Sequence, residues 1–300
     1  MPWAEPGGPA ATIEWATRLL AEQGRTVVGR QQRRSWNLPS IWRLATDRGP
    51  AWVKEVPPFF AHEGAMLRWL RRPATPVVLG AAGCRLLLED IPGADRYDAG
   101  PAERTPMLLD LLDIQAESVD RLPELLALGV PDLRAQPFRR RIEQLVAEAG
   151  LAGADRAVLD DFVAGLPERF AGLAACGVPD TLVHGDFHPG NVRSDGTSRV
   201  LIDWGDSVLG HPALDLVRMR DWAPNGPAPA LTRAWCEFWR RRVPGCQPER
   251  AVDLIAPLAM LRNALVYGDF VRSVEPAERR YHDSDTQVAL RDTVAMLKTS

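Results

Sequence analysis

Apolar residues in the first third of the chain follow two rhythms, one helical and one alternating. Ile13, Ala16, Leu19 and Leu20 recur at helical spacing within residues 10–23, the mark of a helix with one buried stripe. Residues 25–34 and 40–46 then read as strands around a turn at Ser35-Trp36-Asn37-Leu38-Pro39. Asp47-Arg48-Gly49-Pro50 turns the chain again, so 40–56 reads as a hairpin. A helix at 59–72, stopped by Pro73, precedes two short strands at 76–80 and 84–90. The second strand ends in Leu86-Leu87-Leu88-Glu89-Asp90-Ile91-Pro92-Gly93, where the pattern changes. Beyond it helical periodicity covers 102–119, 138–149, 155–175, 211–222, 228–242, 249–273 and 285–298. A small β insert at 181–203 interrupts it, turned by Ser194-Asp195-Gly196-Thr197. The expectation is an α+β fold with a boundary at the change of character: 1–90 strand-rich, 91–300 mainly helical.

At 300 residues there is room for one large or two modest domains. A formal charge of −3 gives no electrostatic case for nucleic acid or a membrane as partner. The start Met1-Pro2-Trp3-Ala4-Glu5-Pro6 lacks a signal peptide's basic, then apolar, character. No apolar run approaches the roughly 18–20 residues of a spanning helix, so a cytoplasmic protein is expected. Cys84, Cys176, Cys236 and Cys246 are too scattered for a disulfide framework or a thiolate metal site.

Candidate chemistry concentrates in Leu182-Val183-His184-Gly185-Asp186-Phe187-His188-Pro189-Gly190-Asn191, followed by Val200-Leu201-Ile202-Asp203-Trp204-Gly205. A short apolar run leads into each carboxylate. The order of parts suits phosphoryl transfer: Asp186 as base toward an acceptor hydroxyl, then Asn191 and Asp203 as oxygen ligands for magnesium. The hairpin between the last two brings them together, and Gly205 permits unusual backbone geometry in a metal-bearing loop. The plainer alternative makes these residues turn and cap formers. Of the 36 basic residues, lysine occurs only at 54 and 298. In Trp52-Val53-Lys54-Glu55-Val56, Lys54 shares a strand face with Trp52 and Val56. A compact ammonium there suits phosphate oxygens; a surface lysine on an edge strand is the alternative.

His184-Gly185-Asp186-x-x-x-x-Asn191 with Ile202-Asp203-Trp204 resembles the signature of the aminoglycoside phosphotransferase and choline kinase-like family, relatives of the protein kinases. The resemblance covers nearly the whole chain and implies a two-lobed protein-kinase-like fold. Its small antiparallel-sheet lobe and larger helical lobe would bind ATP and Mg2+ and phosphorylate a hydroxyl of a small molecule: an aminoglycoside, sugar or amino alcohol. It implies that Asp186 is the catalytic base, that Asn191 and Asp203 hold magnesium, and that Lys54 meets the α- and β-phosphates. The lysine's implied glutamate partner is Glu63, which falls on an inward stripe with Met66, Leu67 and Leu70. His62 and Glu55 are the other candidates. Backbone groups of Glu89 and Ile91 are expected at the adenine edge. No G-x-G-x-x-G loop is present, so Ser35–Ser40 is the candidate phosphate cover, with Ser40 or a backbone amide serving. His184 reads as structural, and Asp215 as a buried acid that braces the catalytic loop.

Two other readings use the same residues. His184, Asp186 and His188, with Asp203 and His211, make a possible transition-metal site of a hydrolase. A catalytically inactive kinase fold serving as a binding module is the other. The acceptor is open: Asp269, Glu275, Asp283 and Asp285 are matched by Arg262, Arg272, Arg279 and Arg280, and Trp222, Trp235 and Trp239 would suit a sugar site or a packed core.

Overall fold

The computed structural model describes residues 1–35, 38–221, 228–282 and 284–299. Trp36 and Asn37 of the candidate phosphate cover, Trp222 and Asp283 lie outside the described residues. The chain forms two compact units that interleave along the sequence. One comprises Met1–Asp98, Pro123–Val130 and Pro189–Ser207; the other comprises Ala99–Leu122, Pro131–His188 and Val208–Ser300. Where the sequence suggested a single cut at 90, the first unit reaches forward to take in the 189–207 hairpin. The reason is strand pairing: Ala94–Asp95 lies antiparallel to Val192–Ser194.

In the first unit, helix α1 (Gly8–Glu22) precedes strands β1 (Val27–Ser35), β2 (Ser40–Thr46) and β3 (Ala51–Glu55). Helix α2 (Glu63–Leu70), β4 (Val78–Ala82), β5 (Arg85–Glu89) and the short β6 (Ala94–Asp95) follow. Five strands form one antiparallel sheet in the order β1-β2-β3-β5-β4. Alternation along β3 sorts its residues. Ala51 and Val53 face α1 and are sealed with Ile13, Ala16, Leu20, Leu44 and Leu87. Glu55, on the same side, accepts from Thr12 Oγ1 at 2.8 Å and meets Arg85 Nε at 3.3 Å. Trp52 and Lys54 face the other way.

The second unit is helical. It contains α3 (Pro101–Ser118), α5 (Ala135–Glu148), α6 (Gly153–Ala164), α7 (Leu166–Ala175), α8 (Ala213–Asp221), α9 (Ala228–Arg242), α10 (Pro248–Ser273), the short α11 (Pro276–Arg279) and α12 (Asp285–Leu297); α4 (Leu122–Ala127) belongs, but for its first residue, to the first unit. The single helix expected over 155–175 is two, because Gly165 and Pro167 interrupt it. The insert expected at 181–203 divides as well. Strand β7 (Thr181–Val183) pairs with an unexpected strand β10 (Val208–Gly210), whereas β8 (Val192–Ser194) and β9 (Arg199–Leu201) pair with each other. Helix α10 packs against α5, α7, α8, α9 and α12. It is long and apolar enough to cross a membrane by length and composition, contrary to the expectation that no apolar run comes near that length, and 56% of its apolar stretch is buried within the fold. All four cysteines are free.

Candidate active site

In the first unit the side chains of Lys54, Glu63 and Asp203 meet. Lys54 Nζ lies 2.8 Å from both carboxylate oxygens of Glu63 and 2.6 Å from Asp203 Oδ1. Alternation aims Lys54 away from α1, and the stripe on α2 aims Glu63 inward, where it is 1% exposed. Glu63 Oε1 also accepts from the backbone N–H of Trp204 at 3.1 Å, fixing the start of the 204–206 turn. Of the three acids and bases considered beside Lys54, only Glu63 reaches it. Glu55 lies on the opposite sheet face, and His62 Nε2 pairs with Ser207 Oγ at 3.1 Å. Burial alone would lower the lysine's pKa, but the charges of Asp203 and Glu63 hold it well above the ordinary range. Burial pushes the Glu63 carboxyl up against the pull of Lys54.

Asp203 adopts a left-handed backbone conformation, φ 65° and ψ 63°, strained for any residue with a side chain. The expectation placed that unusual geometry at Gly205. Gly205 is needed for a different reason: a Cβ there would lie 2.9 Å from Phe60 Cδ2. Asn191 sits across the hairpin, where its carbonyl accepts from Ile202 N–H at 2.8 Å, one residue before Asp203.

Lys54, Glu63 and Asp203 line a cavity of about 250 Å³ together with Glu89 and Ile91. Ile41, Trp52, Pro76, Leu88 and Ile202 give it apolar walls, and Arg193 closes one side. Glu89 N–H is used by Val77 O, and its carboxylate pairs with Arg25 at 2.8 Å. Arg193 Nε donates to Ile91 O at 3.2 Å, and its Nη2 to Gly93 O. Ser40 is not among the lining residues. It is buried at the start of β2, where its hydroxyl accepts from Trp42 Nε1 at 3.3 Å. Sequence reasoning missed Arg193; its position two residues after Asn191 on an alternating strand was the available signal.

In the second unit, Asp186 lies on the loop that leaves β7. Arg218 Nε on α8 donates to Asp186 Oδ1 at 2.8 Å, and His188 Nε2 is 3.5 Å from Oδ2. Burial opposes ionisation of Asp186, but the hydrogen bond of His188 and the charge of Arg218 hold its carboxyl well below the usual range. The loop backbone is gripped beneath. Asp215 accepts from His184 N–H and Gly185 N–H at 2.8 Å each, and from Gln115 Nε2 at 2.8 Å. Arg262 Nη1 donates to Gly185 O at 2.7 Å. Gly185 itself has φ 89°, a conformation that favours glycine. Burial raises Asp215 to about 6 against those bonds and the charge of Arg262. His184 is buried, with its ring against Phe187 and its Nδ1 3.4 Å from Asp186 N.

Arg218 and Arg262 also line a recess of about 60 Å³ with Gly185, Leu214, Val217, Ala259, Met260 and Asn263. Neither arginine's part near Asp186 was legible from sequence. Trp235 and Trp239 are fully buried against one another, a packed core rather than a sugar platform. Among the described residues no three His, Cys, Asp or Glu side chains group as metal ligands.

The model of the phosphotransferase enzyme family matches residues 29–246, well over half of the chain. The chain belongs to this family. No curated protein matches the sequence. Among solved structures it is similar to the apoenzyme of macrolide 2'-phosphotransferase MphH from Brachybacterium faecium, with TM-score 0.59, 19% identity, and coverage of 92% of this chain and 98% of that one. It is also similar to an ethanolamine kinase of Plasmodium vivax, with TM-score 0.61, 11% identity, and coverage of 88% and 84%. A third similar structure is the GDP complex of aminoglycoside 2'-phosphotransferase-IIIa, with TM-score 0.62, 12% identity, and coverage of 95% and 98%. At such identities the likeness is one of fold: α+β, two-lobed and protein-kinase-like. Family and fold together make the chain a small-molecule kinase.

Proposed function

We propose that this family member moves the γ-phosphoryl group of ATP to a hydroxyl of a small molecule, with magnesium. One observation carries the reading: a half-buried lysine held between two carboxylates on the wall of an apolar-sided cavity. The apolar walls suit an adenine ring, with the backbone at Glu89 and Ile91 along its edge. Lys54 is the point charge for the α- and β-phosphates, and Glu63 holds it in place.

The donor set fits a hard cation. Asn191 and Asp203 offer oxygen only, and one ammonium faces two carboxylates, leaving negative charge for a metal to balance. Asn191 and Asp203 would hold magnesium there, and the ion would supply neutralisation of phosphate charge. Asp186 accepts the proton of the acceptor hydroxyl as its oxygen bonds to the γ-phosphorus, and the bond to the β-phosphate oxygen breaks to release the diphosphate nucleotide. A carboxylate held this far below its usual range is a weak base. The assignment therefore asks Asp186 mainly to orient the hydroxyl and to take its proton late. Ser40 keeps only a supporting place in this proposal, since its hydroxyl is engaged by Trp42.

The test is product formation. Purified protein with magnesium and either ATP or GTP is screened over sugars, amino alcohols and aminoglycosides, with Asp186→Ala as the blank. A phosphorylated product absent from the blank is the expected result. Nucleotide binding without product across the whole panel would instead favour the binding-module reading.

A further inference from the structure

The ion pair at Asp186 bears on which acceptors the site takes, and the inference rests on the proposed role of Asp186. A hydroxyl hydrogen-bonded to Oδ1 of that carboxylate lies within about 5–6 Å of Arg218 Nε, because Nε is itself 2.8 Å from Oδ1. The recess beside the loop adds a second guanidinium, Arg262, and four apolar side chains: Leu214, Val217, Ala259 and Met260. Among the described residues its lining contains no carboxylate. Asp215, a buried acid that feels the charge of Arg262, is spent on the loop backbone.

Two carboxylates elsewhere on the C-terminal helices, Asp269 and Asp285, are also engaged. Asp269 meets Arg141 and Arg272, and Asp285 meets His282 at 3.0 Å. A polycationic acceptor needs acids that are not already balanced, and an ammonium placed near two guanidiniums is repelled. The recess holds only a few non-hydrogen atoms, so it receives one apolar edge of the acceptor rather than a ring bristling with amines.

We propose that Arg218 is a specificity-determining residue: by cancelling the charge of Asp186 it selects a hydroxylated acceptor with an apolar edge and no ammonium beside the reacting hydroxyl, and it disfavours amino sugars and polycations. Replacing Arg218 by a neutral side chain exposes the Asp186 charge and turns the site toward cations.

The test uses the full chain with magnesium and ADP, titrated calorimetrically with matched pairs that differ in charge: glucosamine against N-acetylglucosamine, and kanamycin against its per-N-acetylated form. The neutral member is expected to bind at least about tenfold more tightly in the wild type. Arg218→Gln should shift that ratio toward the cation by about tenfold or more, and Arg218→Lys should restore the original order. Equal or tighter binding of the cation by the wild type overturns the proposal. So does an unmoved ratio in a folded Arg218→Gln, or failure of all four compounds to bind while the nucleotide does. Failure of the kinase reading looks different: no nucleotide binding, and no product from any compound whatever its charge.

Discussion

Asp203 and Asp186 are both carboxylates at the end of a short apolar run, yet their surroundings differ. Asp203 takes a left-handed backbone, leaves 58% of its side chain open and shares a lysine with Glu63. Asp186 sits on a loop whose backbone is held at three points by Asp215 and Arg262, and its own oxygens are claimed by Arg218 and His188. The first arrangement keeps excess negative charge beside a cavity, as its proposed role toward a cation and phosphates requires. The second cancels charge and fixes position, as its proposed role toward a neutral hydroxyl requires. Identical side chains acquire different chemistry from what surrounds them.

Substitutions can break this contrast, the most severe first. Asp186→Ala should lower turnover by about a thousandfold or more while nucleotide affinity, measured by calorimetry, stays within about threefold. Near-normal turnover would remove Asp186 from the chemistry. Asp215→Ala leaves two buried backbone N–H groups and Gln115 Nε2 without this acceptor and removes a negative charge that acts on Arg262. It should cost about 3–5 kcal/mol, read as a lowered Tm even where the nucleotide is saturating. Lys54→Arg keeps the charge but not its compact shape, and kcat/KM should drop on the order of a hundredfold. Gly205→Ala presses a methyl group into Phe60 and should cost about 1–3 kcal/mol in denaturant unfolding.

The mildest change, Arg218→Gln, acts through pH. A depressed Asp186 carboxyl stays ionised as pH falls through the ordinary carboxylate range. Activity limited by its ionisation is therefore retained until well below that range. Without Arg218 the carboxyl rises toward its ordinary value, so the acid limb of kcat/KM should move to higher pH. An unshifted limb would mean that the pair does not govern the ionisation of Asp186.

Much of the fold was legible because periodicity reports burial. The stripe of Ile13, Ala16 and Leu20 and the inward Glu63 both follow from spacing alone. What stayed hidden depends on contacts between distant segments. Strand β10 is three residues long, too short to carry a period, and only its pairing with β7 defines it. Arg218 looks like any basic residue in the last turn of a helix, where it would favour the helix dipole. Its engagement with Asp186, 32 positions away, leaves no trace in local pattern. Gly205 was singled out correctly for the wrong reason, since sequence cannot separate a glycine needed for conformation from one needed for clearance.

The scarcity of lysine has a practical consequence. Lys54 is 12% exposed on the cavity wall, whereas Lys298 is far more open and pairs with Asp155. An acylating reagent followed by peptide mass mapping therefore has two side-chain amines to report on, one from the cavity and one from the surface. The ratio of the two signals gives a gauge of whether anything occupies the cavity, with its own internal standard.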